Sequence, residues 1–279
     1  MSNRLLDYYN LHYKAIVDNY NEASLSFGVE ALHDMRVAIK RIRSVNLLLT
    51  RLHGSEMTAK CQCSSIREIF RLAGKIRDLQ VQLQLVTDTS SKLGITFFAY
   101  LRYLRKQEFK ATRKMRIHRQ NGDISGNLTK YYECSIVLIN ALNNQQISDE
   151  MFSLVADLFE LVSSMRGQQT QDENFHEIRR RLKQCQYLLT VIDHSESKLP
   201  HVASTLKKLN KLNTLLGDWH DKHVAMEMLE TFMKDKLLHS DPGKERYQFL
   251  LESIRKNRNC LVRSILKQLD VCCNQLSVH

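Results

Sequence analysis

The sequence predicts an all-α fold in which one small helical bundle is made twice, and three observations predict it. Helix breakers are scarce, with two prolines and nine glycines in 279 residues, against abundant Leu, Lys, Arg and Glu. Apolar residues recur at three- and four-residue intervals along most of the chain, the period of a helix with one packed face. Finally, His33-x-x-Arg36-x-x-x-Lys40 returns 143 residues later as His176-x-x-Arg179-x-x-x-Lys183. The same offset carries Gly74-Lys-Ile-Arg-Asp78 onto Gly217-Asp-Trp-His-Asp221. Two separated motifs in one register imply an internal duplication, with residues 1–125 and 140–279 as equivalent halves.

The first helix is expected over 3–22, where Leu5, Leu6, Tyr9, Tyr13, Ile16, Val17 and Tyr20 share the helical period. Ser24 to Gly28 ends it. A second helix over about 29–52 packs through Leu32, Met35, Ile39 and Ile42, and glycine at position 54 suits its C-terminal cap. A third over about 56–89 carries Ile66, Ile69, Ala73 and Ile76 inward. Its interior Gly74 costs ~1 kcal/mol against alanine, which implies close approach of a neighbouring helix or ligand.

A fourth helix over about 95–119 is the most cationic segment, from Arg102, Arg105 and Lys106 to Arg113, Lys114, Arg116 and Arg119, with Glu108 as its one acid. Phe97, Phe98, Leu101, Leu104, Phe109 and Met115 are expected to supply its apolar contacts. Residues 120–130, with two glycines amid polar side chains, read as a linker between the halves, followed by a short helical piece at 131–142. The order then repeats with helices over about 148–166, 172–194, 200–236 and 244–275. Asp172 suits an N-cap, Pro200 a first helical turn, and Asp241-Pro242-Gly243 the last connection.

The net charge is +11, unevenly spread: 22 Lys/Arg against 12 Asp/Glu in residues 1–140, and 19 against 18 in the remainder. An anionic partner is therefore drawn first to the N-terminal half. Charge alone leaves nucleic acid, polyphosphate and an anionic membrane surface open. The N-terminus lacks a signal-peptide core and no apolar run is long enough to span a bilayer, so an intracellular protein is expected. Seven cysteines, an odd number, read as reduced thiols without a disulfide framework.

Beside the packed stripe of the second helix, His33, Arg36, Lys40 and Arg43 form a second stripe with about one cation per turn, rising about 10 Å from His33 to Lys40 at ~1.5 Å per residue. Such a ladder suits an extended polyanion. Its copy uses Ile178, Leu182, Cys185, Leu189 and Ile192 for packing, and His176, Arg179 and Lys183 for charge. The copies differ, because Arg41 and Arg43 become Gln184 and Gln186, and Arg77 becomes His220. Asp78 and Asp221, acids in basic surroundings, read as ion-pair partners that orient an arginine, Arg36 for Asp78. A carboxylate among cations stays ionised and makes a poor general acid.

Enzymatic readings find little support. His220-Asp221-Lys222-His223 has metal-ligand spacing, but Arg36, Arg179 and Lys222 repel a divalent ion, and Cys61-x-Cys63 lacks a second pair. A Walker loop, a Gly-x-Ser-x-Gly elbow and a His-Glu-x-x-His helix are all missing. No cofactor and no metal site is expected. Nucleic acid is the stronger rival, yet the ladder contains no aromatic residue, and Trp219 and the Tyr and Phe residues fall mostly at packing positions.

The paired His-x-x-Arg-x-x-x-Lys helices, each followed about 41 residues later by Gly-x-x-(Arg/His)-Asp, resemble the CHAD domain, the conserved histidine α-helical domain, over nearly the whole chain. That resemblance implies two four-helix bundles related by a pseudo-twofold axis, a basic surface between them, and binding of inorganic polyphosphate. On this reading Arg36, Arg43, Arg77 and Arg179 make bidentate phosphate contacts, Lys40 and Lys183 act as point charges, and His33 and His176 donate hydrogen bonds. Lys75, Arg71 and Arg180 form a second tier. A cytoplasmic setting is expected from the lack of export and membrane signals, and the resemblance leaves polyphosphate storage in granules, targeting of a partner and regulation as open roles.

Overall fold

A computed structural model describes residues 2–54, 64–121, 124–166, 172–193, 200–237 and 243–276. Among these the secondary structure is helical throughout: α1 (Ser2–Ser26), α2 (Val29–His53), α3 (Ser64–Leu93), α4 (Phe98–Asn121), α5 (Ile124–Asn140), α6 (Asn144–Arg166), α7 (Asp172–Asp193), α8 (Pro200–Lys236) and α9 (Lys244–Leu276). The stripes that periodicity selects are the ones that pack. Leu32, Met35, Ile39 and Ile42 are buried on α2, and Ile178, Leu182, Cys185, Leu189 and Ile192 on α7.

The chain forms two compact helical bundles. Unit 1 comprises Met1–Gly74 and Lys114–Asn210, and unit 2 comprises Lys75–Arg113 and Lys211–His279. Each unit takes segments from both 1–125 and 140–279. Both α3 and α8, which carry the glycine motifs 143 residues apart, give their first turns to unit 1 and the remainder to unit 2.

In unit 1, α2 packs against α1, α5, α6 and α7. Arg51 near the end of α2 pairs with Glu150 (2.5 Å) and Asp157 (2.5 Å) on α6. On α1, Tyr13 stacks on Tyr132 of α5 at 4.2 Å between centroids, and the Tyr132 hydroxyl donates to Asn10 Oδ1 at 2.7 Å. Gly54 caps α2 with φ at 77°, its N–H donating to the Thr50 carbonyl at 2.9 Å, a backbone position that suits glycine. In unit 2, Tyr100 of α4, Phe232 of α8 and Tyr247 of α9 form a ring cluster, with Phe232 5.0 Å from Tyr100 and 5.2 Å from Tyr247 between centroids. Trp219 is fully buried there.

Four expectations need correction. The segment read as a linker is largely α5, whose Ile124, Leu128, Tyr131 and Ser135 are buried at helical spacing; its polar composition hides that stripe. The next helix starts at Asn144 rather than 148, because Asn143 and Gln146 form a capping box: the Gln146 N–H donates to Asn143 Oδ1 (2.8 Å) and the Asn143 N–H to Gln146 Oε1 (3.3 Å). Phe98 and Phe109 are 71% and 67% exposed, not core residues. Cys134 is disulfide-bonded, whereas Cys185, Cys260 and Cys272 are free; an odd count requires only that some thiol be left over. Residues 241–242 and the Cys61-x-Cys63 pair lie outside the described residues.

Candidate anion-binding site

On α2 the ladder splits by burial. His33 is exposed, whereas Arg36, Lys40 and Arg43 are half-buried. Arg36 and Arg43, two turns apart, both lie over the ring of Phe70 on α3, each with Cζ 4.3 Å from its centroid. Burial above all draws the Arg43 guanidinium down from its ordinary pKa, against Tyr131 and with the help of the Arg67 charge.

Arg36 Nη1 also donates to the Phe70 carbonyl at 2.7 Å. A helical carbonyl has a second lone pair, and the residue four positions on decides whether a side chain can reach it. That residue is Gly74. A Cβ there would overlap the Arg36 guanidinium and lie 3.1 Å from its Cζ, so the close approach implied by an interior glycine is made by Arg36 itself. This contact also means that Arg36 is not a purely solvent-facing cation. At Gly217, 143 residues later in the sequence, a Cβ would meet no described atom within 4 Å, so the steric need exists at Gly74 and not there.

Gly74→Ala is therefore expected to lower thermal stability by about 0.5–2 kcal/mol. The gain in helix propensity, ~1 kcal/mol, offsets part of a charge-assisted hydrogen bond of ~1.5–3 kcal/mol. The variant should also weaken anion binding roughly five- to tenfold by displacing Arg36, corresponding to ~1–1.4 kcal/mol. A melting curve and a titration of the same variant check both halves.

A second cluster joins the two ladder helices within unit 1. Arg41 of α2 places Nη1 3.4 Å from His12 Nε2 on α1 and Cζ 5.8 Å from the centroid of Tyr187 on α7. The Lys183 ammonium lies 6.0 Å from the same centroid and donates to Gln186 Oε1 at 3.1 Å. Neither Arg41 nor Lys183 has a carboxylate partner among the described residues. Burial, then the charges of Arg179 and Arg41, pull the Lys183 pKa down to about 8. His12, buried and beside Arg41, is lowered to about 4. It is neutral at pH 7, and with its proton on Nδ1 it offers the Nε2 lone pair to Arg41.

Other cations are already engaged. Arg71, exposed, holds Glu68 through Nε (2.9 Å) and Nη2 (2.5 Å). Arg180 holds Glu177 in the same way (2.7 and 2.5 Å), and Arg181 Nε shares that carboxylate at 2.6 Å. Both carboxyls are held below their usual pKa, by hydrogen bonding to Arg71 and to Arg180 respectively. His176 and Arg179 are half-buried on α7. Lys75, exposed, and Arg77, Asp78 and Asp221, all half-buried, belong to unit 2. The Asp221 backbone carbonyl accepts from Gln82 Nε2 at 3.1 Å. His223 stacks on Trp219 at 5.3 Å and lies 3.4 Å from Glu227. Among the described residues no group of three His, Cys, Asp or Glu is placed to hold a metal ion.

Arg41, His12, Tyr187 and Phe70 are absent from the site read from sequence. Arg41 stands one position, about 100°, off the ladder stripe of α2, and Gln184, 143 residues later, carries no charge. The available signal for Arg41 was a cation flanking a packed stripe in a helix already singled out. The two aromatic rings carry no local signal at all.

A family model described as the CHAD domain matches residues 8–230. The fold is similar to the crystal structure of the CHAD domain from the plant Ricinus communis, with a TM-score of 0.77 and 18% identity, covering 100% of this chain and 92% of that one. No curated protein matches.

Proposed function

The chain belongs to the CHAD domain family, and from that premise we propose that it binds inorganic polyphosphate without catalysing a reaction on it. One observation supports this most directly: Arg41 and Lys183, from the two ladder helices, are held together half-buried with no carboxylate among the described residues to neutralise them. Like charges gathered at such a cost are ready for an anion. Lys183 gives up part of its proton affinity in the ligand-free protein; phosphate oxygens would restore it. A chain of phosphates, rather than one, fits because Lys40 and Arg36, and then the hydrogen-bonding His33, continue along α2.

In this reading Arg36, Arg43, Arg77 and Arg179 contact phosphate as forks, Lys40 and Lys183 as point charges, and His33 and His176 as hydrogen-bond donors. Arg41 joins them. Lys75, Arg71 and Arg180 add longer-range attraction, the last two discounted by their glutamate partners. Asp78 and Asp221 orient neighbouring cations. We read residues 1–125 and 140–279 as duplicated four-helix halves with pseudo-twofold symmetry, on the strength of the shared 143-residue offset. The setting is cytoplasmic, beside polyphosphate granules. None of the described helices is long and apolar enough to cross a membrane.

Binding measured at one salt concentration against long polyphosphate, pyrophosphate, single-stranded RNA and duplex DNA tests the proposal. Long polyphosphate should bind tightest, pyrophosphate should be weaker by orders of magnitude, and affinity for the long chain should fall steeply with added salt. Equal affinity for pyrophosphate and long chains would mean a single small pocket. Tighter binding of either nucleic acid would favour the rival reading of the same cations.

A further inference from the structure

On α4, within unit 2, Phe98, Arg102, Arg105, Lys106, Phe109 and Arg113 fall in one arc of about 100° at 3.6 residues per turn. All six are exposed, the two rings by 71% and 67%. The core side of the helix is already filled by Tyr100, Leu104 and Ala111, which are buried on the opposite face. None of the six side chains makes a hydrogen bond, ion pair or ring contact among the described residues, and Glu108 lies outside the arc.

We propose that this face of α4 binds single-stranded nucleic acid, at a site separate from the ladder of α2 and α7. A lone exposed phenylalanine needs no explanation. Two of them, interleaved with four unneutralised cations on one stripe, combine the elements of a stacking platform with a backbone-tracking charge row. The rings lie about 16 Å apart along the axis at ~1.5 Å per residue, with Arg102, Arg105 and Lys106 between them to take phosphates. Inorganic polyphosphate has nothing to stack on the rings. Duplex DNA keeps its bases paired and out of reach. An anionic membrane would want a contiguous apolar strip, whereas here guanidinium groups separate the two rings.

The test uses the full chain and a labelled oligo(U) of about 12 nucleotides, the scale of a single-strand site. Phe98→Ala with Phe109→Ala is expected to weaken binding at least tenfold, to leave long-polyphosphate affinity within about twofold, and to be rescued by tryptophan at both positions. Arg102→Gln, Arg105→Gln, Lys106→Gln and Arg113→Gln together should lower the salt dependence by about 0.7 per lost phosphate contact. Both rings are outside the core, so circular dichroism should show an intact fold. Unchanged oligo(U) affinity in the ring variant would overturn the proposal in favour of diffuse charge. Loss of oligo(U) binding when the α2 and α7 cations are removed would overturn it in favour of one shared site. Ring-dependent binding to phosphatidylserine vesicles, without oligo(U) binding, would overturn it in favour of a membrane surface.

Discussion

Replacing Lys40, Arg41, Arg179 and Lys183 together with glutamine is expected to lower affinity for long polyphosphate at least a hundredfold, about 2.7 kcal/mol. The four positions are half-buried; Arg41, Arg179 and Lys183 form the cationic cluster of α2 and α7, and Lys40 precedes Arg41 on α2. Each charge-assisted phosphate contact contributes ~1.5–3 kcal/mol, and neighbouring contacts do not add in full, so a hundredfold is a lower bound. Arg36 is left out on purpose. Its hydrogen bond to the Phe70 carbonyl and its place over the Phe70 ring make it part of the α2–α3 packing, and its loss would mix stability with binding. The control removes as many charges from the end of α4 by replacing Arg113, Lys114, Arg116 and Arg119, all exposed. It should weaken polyphosphate binding only a few-fold. Equal losses in both variants, with both folded by circular dichroism, would reduce the attraction to net charge and leave the cluster no special role.

Raising the pH from about 7 to about 9.5 is expected to weaken polyphosphate binding ten- to thirtyfold, and Lys183→Arg to abolish most of that dependence. Lys183 in the ligand-free protein loses its proton near pH 8, because burial and then Arg179 and Arg41 disfavour the charge. Bound phosphate favours the charged form, so above that pH binding must take up a proton and affinity falls. Internal phosphates of a long chain keep their charge over this range, and arginine keeps its own. The same shift has a consequence for stability, with a definite sign. The folded pKa lies below the unfolded value, so the unfolded chain binds more protons between about 8 and 10.5, and stability rises with pH across that window. Below it the penalty is fully present. Lys183→Gln should therefore stabilise the ligand-free protein at pH 7 by roughly 1–2 kcal/mol, after allowance for solvent screening at a half-buried site. It should at the same time weaken binding, a trade-off typical of a functional charge. A melting series with and without polyphosphate reads both effects; a destabilised Lys183→Gln variant would show that Lys183 serves the fold instead.

What was legible in the chain was what repeats along it. The all-helical class and the inward stripes of α2 and α7 follow from the 3.6-residue period, since burial on a helix is set by spacing within a few turns. The ladder was legible for the same reason: His33, Arg36 and Lys40 share a face before anything folds. Some local signals were present but outweighed by composition. Ile124, Leu128 and Tyr131 keep the helical spacing through a stretch rich in Gly, Asn and Asp, and Phe98 and Phe109 sit opposite Tyr100 and Leu104 on the α4 wheel. Gly74 announced a close neighbour without naming it.

Tertiary structure decided which cations meet which partners. Arg41 acquires its setting from His12, 29 positions earlier, and from Tyr187, 146 positions later. Phe70 receives two guanidinium groups from two turns of α2, while Arg71, next in sequence, turns to Glu68. The lowered pKa of Lys183 has the same origin, because desolvation and repulsion depend on atoms brought together by packing. A charge on a helix face is a local fact; whether it is neutralised, buried or left waiting for an anion depends on distances between helices that no local pattern contains.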